Sequence, residues 1–527
     1  MRDAAAGSAA ASRRATPVRR RIPDDIRNET KIMTITDRIK QSLANPITID
    51  GKIDPRAELT EVLSVAGLTP VGSGGKVDFV GRDPIISSPW PLATMAGVAL
   101  MAKAVAFADI WQTRTGEGQD LFVDLRQVLH RLCPFYDKKW ELLNGYPPGA
   151  PSDPTNPFWA SYMYPTRDGR WIQLVNIYPC IKTAALAFLG CNDDPRAIGE
   201  AVRKWDGVAL EEALNRVGLQ ATLIRTTEEF LATEQFAYLK DMPLVEITKI
   251  GDSDPVPFTL NPSTPLDGVR ALGLGRVIAG AGLGRALAYH GADVLNIWGP
   301  NDFEMDFVYN SANVGMRSST LDLKRMDEMA RFKHLVGEAD VFFSNRRPGF
   351  LARYNLTAEE LAEQRPGLIH VDMSLFGWTG PWAGRIGFDQ NAGGVSGVYA
   401  REGTPEHPRL PEIFVVNDYA MSWLSSMAVA AALKRRAVEG GSYRIRISLA
   451  RVSLWLLHLG VFDKGYAASV AGRPGDHEYL APELFTADTP CGFYQGVTDQ
   501  VQMSRTPGFY KVPLVPRGSS RAEWLTL

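Results

Sequence analysis

The second half of this chain predicts a doubly wound α/β sheet, and three observations carry that prediction. Strand-like and helix-like segments alternate from residue 266 to 450. A glycine-rich turn, with Gly280, Gly282 and Gly284, lies between a strand and a helix. Short apolar runs rich in Val, Ile and Phe recur at the spacing of buried parallel strands. The elements expected in order are strand 269–274, helix 284–290, strand 292–298, helix 325–337, strand 339–343, helix 357–364 and strand 368–373. IFVV at 413–416 reads as one more strand, followed by a helix over about 419–436.

The first half differs. Residues 91–111 read as one long apolar helix, interrupted by Lys103 and Asp109, so a membrane span is not expected. TRTGEGQ (113–119) is a turn and LFVDL (121–125) a strand or helix start. Residues 134–160, rich in Pro, Asn and Gly, read as a linker. YPTRDGRWIQLV has the pattern of a hairpin turning at Asp168-Gly169. Helices over 195–216 and 226–240 and a strand over 244–250 complete a small α+β unit, closed by Pro255, Pro257, Pro262 and Pro265. Lys103–Val128 can be laid on Met427–Val452 without a gap, which suggests two copies of one element. The organisation read from this is a disordered tail (1–32), a partial, mostly helical and inactive copy of the large domain (33–145), a small α+β domain (146–263), and the large domain with a C-terminal extension (264–527).

Composition removes several function classes. The 527 residues carry 57 Lys+Arg against 59 Asp+Glu, so the basic excess of a nucleic-acid-coating protein is missing. The four cysteines (Cys133, Cys180, Cys191, Cys491) are far apart, which fits a reducing, cytoplasmic setting and no Cys-rich metal site. The seven histidines show no metal-ligand spacing, so no metal is expected. The Arg-, Ala- and Ser-rich first 32 residues lack the apolar core of a secretory signal; a transit peptide or a start at Met33 are the other readings.

Three constellations are candidates for chemistry. The glycines at 280–284 suit either tight strand–helix packing or a phosphate-bearing ligand; their G-x-G-x-G spacing and the strand end Asn296-Ile297-Trp298 disfavour NAD. Arg317, Arg346, Arg347, Arg353 and Arg385 form either a solvated rim or a phosphate site, with Arg346, Arg347 and Arg385 expected along one sheet edge. Asp418, at the head of a helix, is either its N-cap or a carboxylate nucleophile. Its counterpart in the first copy is Thr94, which cannot serve as that nucleophile.

LDGVRALGLGRVIAGAGLGRALAYHGADVL resembles the opening of the family III CoA-transferases, the carnitine and formyl-CoA transferase (CaiB/BaiF) group. MRSSTLDLK, NRRPGFLARYNLTAEEL, SLFGWTGPWAGRIGFDQNAGGVSG and NDYAMSWLSSMAVAAALKRR follow in that family's order. TRTGEGQDLFVDL, YPTRDGRWIQL and GLQATLIRTTEEFLA resemble its other parts. The resemblance implies a Rossmann-like large domain with a small α+β domain, here fused and shortened into a pseudo-dimer or still pairing as a homodimer. It implies CoA exchange between an acyl-CoA donor and a carboxylic acid acceptor through a covalent aspartyl intermediate. The nucleophile falls on Asp418; Val277 and Ile278 fall where backbone groups face the thioester; Asn345, Arg346 and Arg353 fall near CoA. Arg385 and Phe388 join them as substrate- or CoA-binding candidates, Phe388 as part of an apolar pocket with Trp378 and Trp382. No tightly bound cofactor is implied, since coenzyme A enters as substrate. Phe388-Asp389 replaces the His-Asp of the superfamily's racemases, which disfavours two-base racemisation. CoA-linked lyase, dehydratase or isomerase chemistry, or non-catalytic CoA binding, are the alternative readings.

Overall fold

The computed structural model describes residues 33–132, 139–148 and 163–526, and from Ile35 onward the chain forms one unit. The tail 1–32 and Cys133 lie outside the described residues, as does most of the expected linker. Within that linker, Leu142–Leu143 forms a short strand on the C-terminal extension, pairing with Gly492–Val497.

A seven-stranded sheet organises the molecule. Its strands are β1 (Glu246–Gly251), β2 (Arg270–Leu274), β3 (Asp293–Trp298), β4 (Arg317–Thr320), β5 (Val341–Ser344), β6 (Ile369–Ser374) and β7 (Ser442–Ser448). They lie in the order β4-β3-β2-β5-β6-β7-β1. All neighbours are parallel except β1, which pairs antiparallel with β7 at the edge. Strand order therefore reverses between β2 and β5, and the carboxyl ends of those two strands border the crevice where doubly wound sheets bind ligands.

Side chains alternate across the sheet as period-two geometry demands. Ala271, Val294 and Phe343 face the helices Ala279–Tyr289 and Val416–Glu439, while Leu272, Leu295 and Phe342 face Met326–Gly337 and Ala358–Gln364. We label Leu92–Thr115 α1, Ala279–Tyr289 α2 and Val416–Glu439 α3. By length and composition α1 is apolar enough to cross a membrane, but its apolar stretch is 94% buried inside the protein. It packs along α3, and Lys434 of α3 bonds Asp109 of α1 at 2.6 Å.

IFVV does not form a strand. Ile413–Val415 is irregular and Val416 already begins α3. Four apolar residues report burial, not conformation, and every place in the sheet is taken by other segments. The helices expected over 195–216 and 226–240 each break in two, at 203–206 and 232–233, where Asp206 and Thr233 take extended N-cap conformations. The expected hairpin forms as Met163–Pro165 and Trp171–Gln173, with Gly169 at φ 74° in the turn.

α1 and α3 are both 24 residues long, and each leads through a glycine turn to a strand: Gln119–Asp124 after α1, β7 after α3. The strand after α1 belongs to a three-stranded sheet with Gly74–Val80 and Val501–Met503.

Candidate active site

The turn after β2 lies at the switch point, and two asparagines from neighbouring strands pin it. Asn296, in β3, accepts from the Gly275 N–H at 3.0 Å and donates to the Gly275 carbonyl at 3.0 Å. Asn345, just past β5, does the same for Arg276, at 2.9 Å in both directions. Two side-chain amides thus replace the backbone pairing lost where the strands end. The clamped turn holds Val277 at φ 55°, a left-handed conformation unfavourable for a β-branched residue. Strain of this kind persists only where the surroundings enforce it, and it gathers at functional sites. Ile278 follows, buried, as the N-cap residue of α2.

The glycines of α2 are there for close packing. A Cβ on Gly280 would collide with the Asn345 amide, and one on Gly282 would lie 2.6 Å from Ser422 Oγ. A Cβ on Gly284 would run into Met316 and Phe343. Gly282 is what lets α3 approach the turn. Ser422, one turn after Asp418, donates to the Ala279 carbonyl at 2.9 Å.

Asp418 is the third residue of α3 and is 5% exposed. It is not the N-cap. Val415 holds that position and caps nothing; the cap comes from another element, because Asp389 accepts from the Asp418 N–H at 2.7 Å and from the Asn417 amide at 2.9 Å. Asp83 treats α1 alike, accepting from the Thr94 N–H at 2.6 Å and the Ala93 N–H at 3.3 Å. With Asp389 capping, the Asp418 carboxyl is free for other work. Burial first, and then the charge of Asp389, hold it well above the usual carboxylate range. Burial also raises Asp389, to about 7, against the hydrogen bonds it accepts.

A second layer covers this pair. Glu304, 6% exposed, accepts from the Val277 N–H at 2.9 Å, from Tyr178 Oη at 2.6 Å and from the Met305 N–H at 3.1 Å. Burial holds its carboxyl above the usual carboxylate range despite those bonds. Tyr178 stacks on Phe388 at 5.6 Å between ring centroids, and its hydroxyl is held far above 10 by burial and by Glu304 and Asp418.

The basic groups separate into three places. Arg346 bonds Asp302 at 3.2 Å and lies over the Phe350 ring at 4.3 Å. Arg276 shares Asp302 and lies over Trp298 at 4.0 Å. Burial would raise Asp302, but the two guanidinium groups hold it at about 2; burial, and then Arg346, bring Arg276 down to about 10. Arg347 and Arg353 are exposed beyond this cluster. Arg385 does not join Arg346: it is tied to Glu211 and Glu212 and lies over Trp382 at 4.4 Å. Arg317 begins β4 and pairs with Asp293 at the start of β3, so it sits at the opposite end of the strands.

The structure therefore gathers Val277, Ile278, Asn345 and Arg346 at the carboxyl ends of β2 and β5, with Asp418 joined to that turn through Ser422 and Phe388 through Tyr178 and Glu304. Sequence reasoning missed Glu304, Tyr178, Arg276 and Asp302, and it gave Asp389 no role. A signal existed for two of them: GPNDFE directly follows β3, and residues after strand ends converge at this edge. Tyr178 comes from a segment distant in the chain and carried no such signal.

Residues 266–499 match the model of CoA-transferase family III. An acetyl-coenzyme A transferase, nodX, of Hypoxylon pulicicidum is 28% identical over 62% of this chain and 60% of its own length. A succinate–glutarate CoA-transferase of Agrobacterium fabrum is 33% identical over 41% of this chain and 57% of its own. The matches thus span about three fifths of these relatives. A crystal structure of a CaiB/BaiF family protein from Brucella suis is 28% identical, covering 44% of this chain and 65% of that one at a TM-score of 0.35.

Proposed function

For a chain whose residues 266–499 match CoA-transferase family III, we propose an acyl-CoA:carboxylate CoA-transferase with Asp418 as its nucleophile. The observation that carries this reading is that Asp389 caps α3 in place of Asp418, which stands in the first turn of that helix where Ser422 ties it to the strained turn after β2. A helix N-terminus favours negative charge, and a carboxylate short of solvation is a stronger nucleophile than one in water.

Asp418 attacks the thioester carbonyl; the tetrahedral adduct expels CoA thiolate and leaves a mixed anhydride. The thiolate then attacks the aspartyl carbonyl, which releases the donor acid and leaves an aspartyl-CoA thioester. The acceptor carboxylate attacks that thioester, expelling CoA thiolate and leaving a second mixed anhydride; the thiolate attacks the acceptor's acyl carbon, which forms the new acyl-CoA and releases the Asp418 carboxylate. Backbone N–H groups of Ile278 and Ala279, at the start of α2, stabilise each oxyanion, one such donor contributing about 3–4 kcal/mol. Burial keeps water from the anhydride. Arg276 and Arg346, backed by Trp298 and Phe350, are placed to meet the phosphates of CoA.

The capping of α1 by Asp83 supports reading residues 33–145 as a second, unreactive copy, with Thr94 in place of the nucleophile. One chain then supplies both halves of a pseudo-dimer.

Asp418→Asn should abolish turnover while leaving the unfolding transition in place. Hydroxylamine added after acyl-CoA should trap a hydroxamate at residue 418 of the unchanged protein and none in the variant. Full turnover by Asp418→Asn would overturn the mechanism. A requirement for an acceptor acid separates transfer from lyase or isomerase chemistry.

A further inference from the structure

Glu304 sits in the crevice in a way that the catalytic cycle does not require. Its carboxylate takes the N–H of Val277, in the turn that Ser422 ties to the Asp418 turn of α3, and the hydroxyl of Tyr178. A backbone N–H and a phenol converging on two carboxylate oxygens make, by their chemistry, a carboxylate-binding subsite. We propose that this is the subsite for the passenger acid, that Tyr178 is a positioning residue within it, and that Glu304 is a resident carboxylate which fills it until substrate displaces it. The inference rests on the proposed function for the identity of the acid as substrate.

Three further observations point the same way. Val277 is strained at φ 55°, and the N–H of this strained residue is the one that Glu304 takes. Glu304 belongs to the loop between β3 and the helix Asp306–Ala312, so its departure breaks no strand pairing. Asp418 is 5% exposed and lies close enough to Tyr178 for its charge to act on that hydroxyl, so acyl-CoA can reach it only once neighbouring groups give way. Exchange of one carboxylate for another conserves the number and type of hydrogen bonds, which makes an incoming acid a suitable key. Tyr178 stacks on Phe388 and meets Phe303 edge-on, so the passenger's carbon chain enters an aromatic-walled space.

The test is equilibrium binding of acetate and glutarate to the full chain, by calorimetry without CoA. Glu304→Ala should bind the tighter of these acids at least about fivefold more strongly than the unchanged protein, because the internal competitor is gone. Adding Tyr178→Phe should remove most of that gain. Glu304→Gln keeps the shape with a weaker, uncharged acceptor and should gain about twofold, which covers the case in which the alanine variant does not fold. No gain in the variants, or a gain that survives loss of the Tyr178 hydroxyl, overturns the proposal. Hydroxylamine trapping run in parallel distinguishes the two readings. A binding gain without any hydroxamate overturns the transferase mechanism alone; a hydroxamate without a binding gain overturns the resident carboxylate alone.

Discussion

Asp418 and Asp389 divide one proton unequally. Asp389 holds the two donors, the Asp418 N–H and the Asn417 amide, so it ionises first, at about 7. Asp418 then faces that charge and keeps its proton longer. Attack needs the carboxylate form, so kcat/KM should rise with pH through a midpoint above 7 that belongs to the pair. Asp389→Asn removes the neighbouring charge and should move that midpoint down, which a pH–rate profile reads directly. Stability runs the other way. Both carboxyls lie above their unfolded value of 3.8, so their contribution is complete below that value; that of Asp389 is lost as pH rises through about 7, and that of Asp418 at higher pH. In Asp389→Asn, denaturation midpoints should fall less between pH 4 and 7 than in the unchanged protein.

The turn from β2 into α2 shows how an element makes a site. Neither Val277 nor Gly280 acts alone: Asn296 and Asn345 pin the turn, and Gly280 lets the Asn345 amide in. Gly280→Ala should therefore push Asn345 off Arg276 and cost about 1–3 kcal/mol, measured by urea unfolding, while raising KM for acyl-CoA. The glycines were visible in the sequence, but their partner was not, so packing and phosphate binding could not be separated there. IFVV failed for a related reason. Its apolar run marks a buried approach to α3, and the capping that fixes α3 comes from Asp389, in another element. Local grammar named Asp418 as a cap because the real cap is not local.

Across the whole molecule, a buried charge cluster joins segments far apart in sequence. Asp499 of the C-terminal extension bonds Lys103 of α1 and Arg131 at 2.9 Å, all essentially buried. Burial opposes the charge on Asp499, yet Lys103 and Arg131 hold its carboxyl far below the usual range. That contribution is present above the unfolded value and is lost as pH falls toward the folded one. Asp499→Asn leaves two cations without their counter-charge and should cost about 3–5 kcal/mol in urea unfolding at neutral pH. A loss under 1 kcal/mol would mean that the cations find other partners. The same extension supplies Val501–Met503 to the sheet beside α1, so residues near the C-terminus complete that three-stranded sheet.

The alternation of apolar runs by itself determined the inner strands β2, β3, β5 and β6, since a parallel strand buried on both faces must be written in continuous hydrophobic residues. It did not reveal β4, and it put β1 in the small domain, whereas β1 pairs with β7 at the edge of the large sheet. Asp418 was singled out by the resemblance of the contiguous motifs around it to a known family. Tertiary structure alone decided what surrounds that carboxyl. Asp389 caps its helix, and Tyr178, held by Glu304, comes close enough to feel its charge, each from a separate segment; only the folded chain gives the distances that hydrogen bonds and electrostatics obey. It likewise parted Arg346 from Arg385 and Arg317, which sequence spacing had grouped: like residues in like motifs are told apart only by the carboxylates they meet.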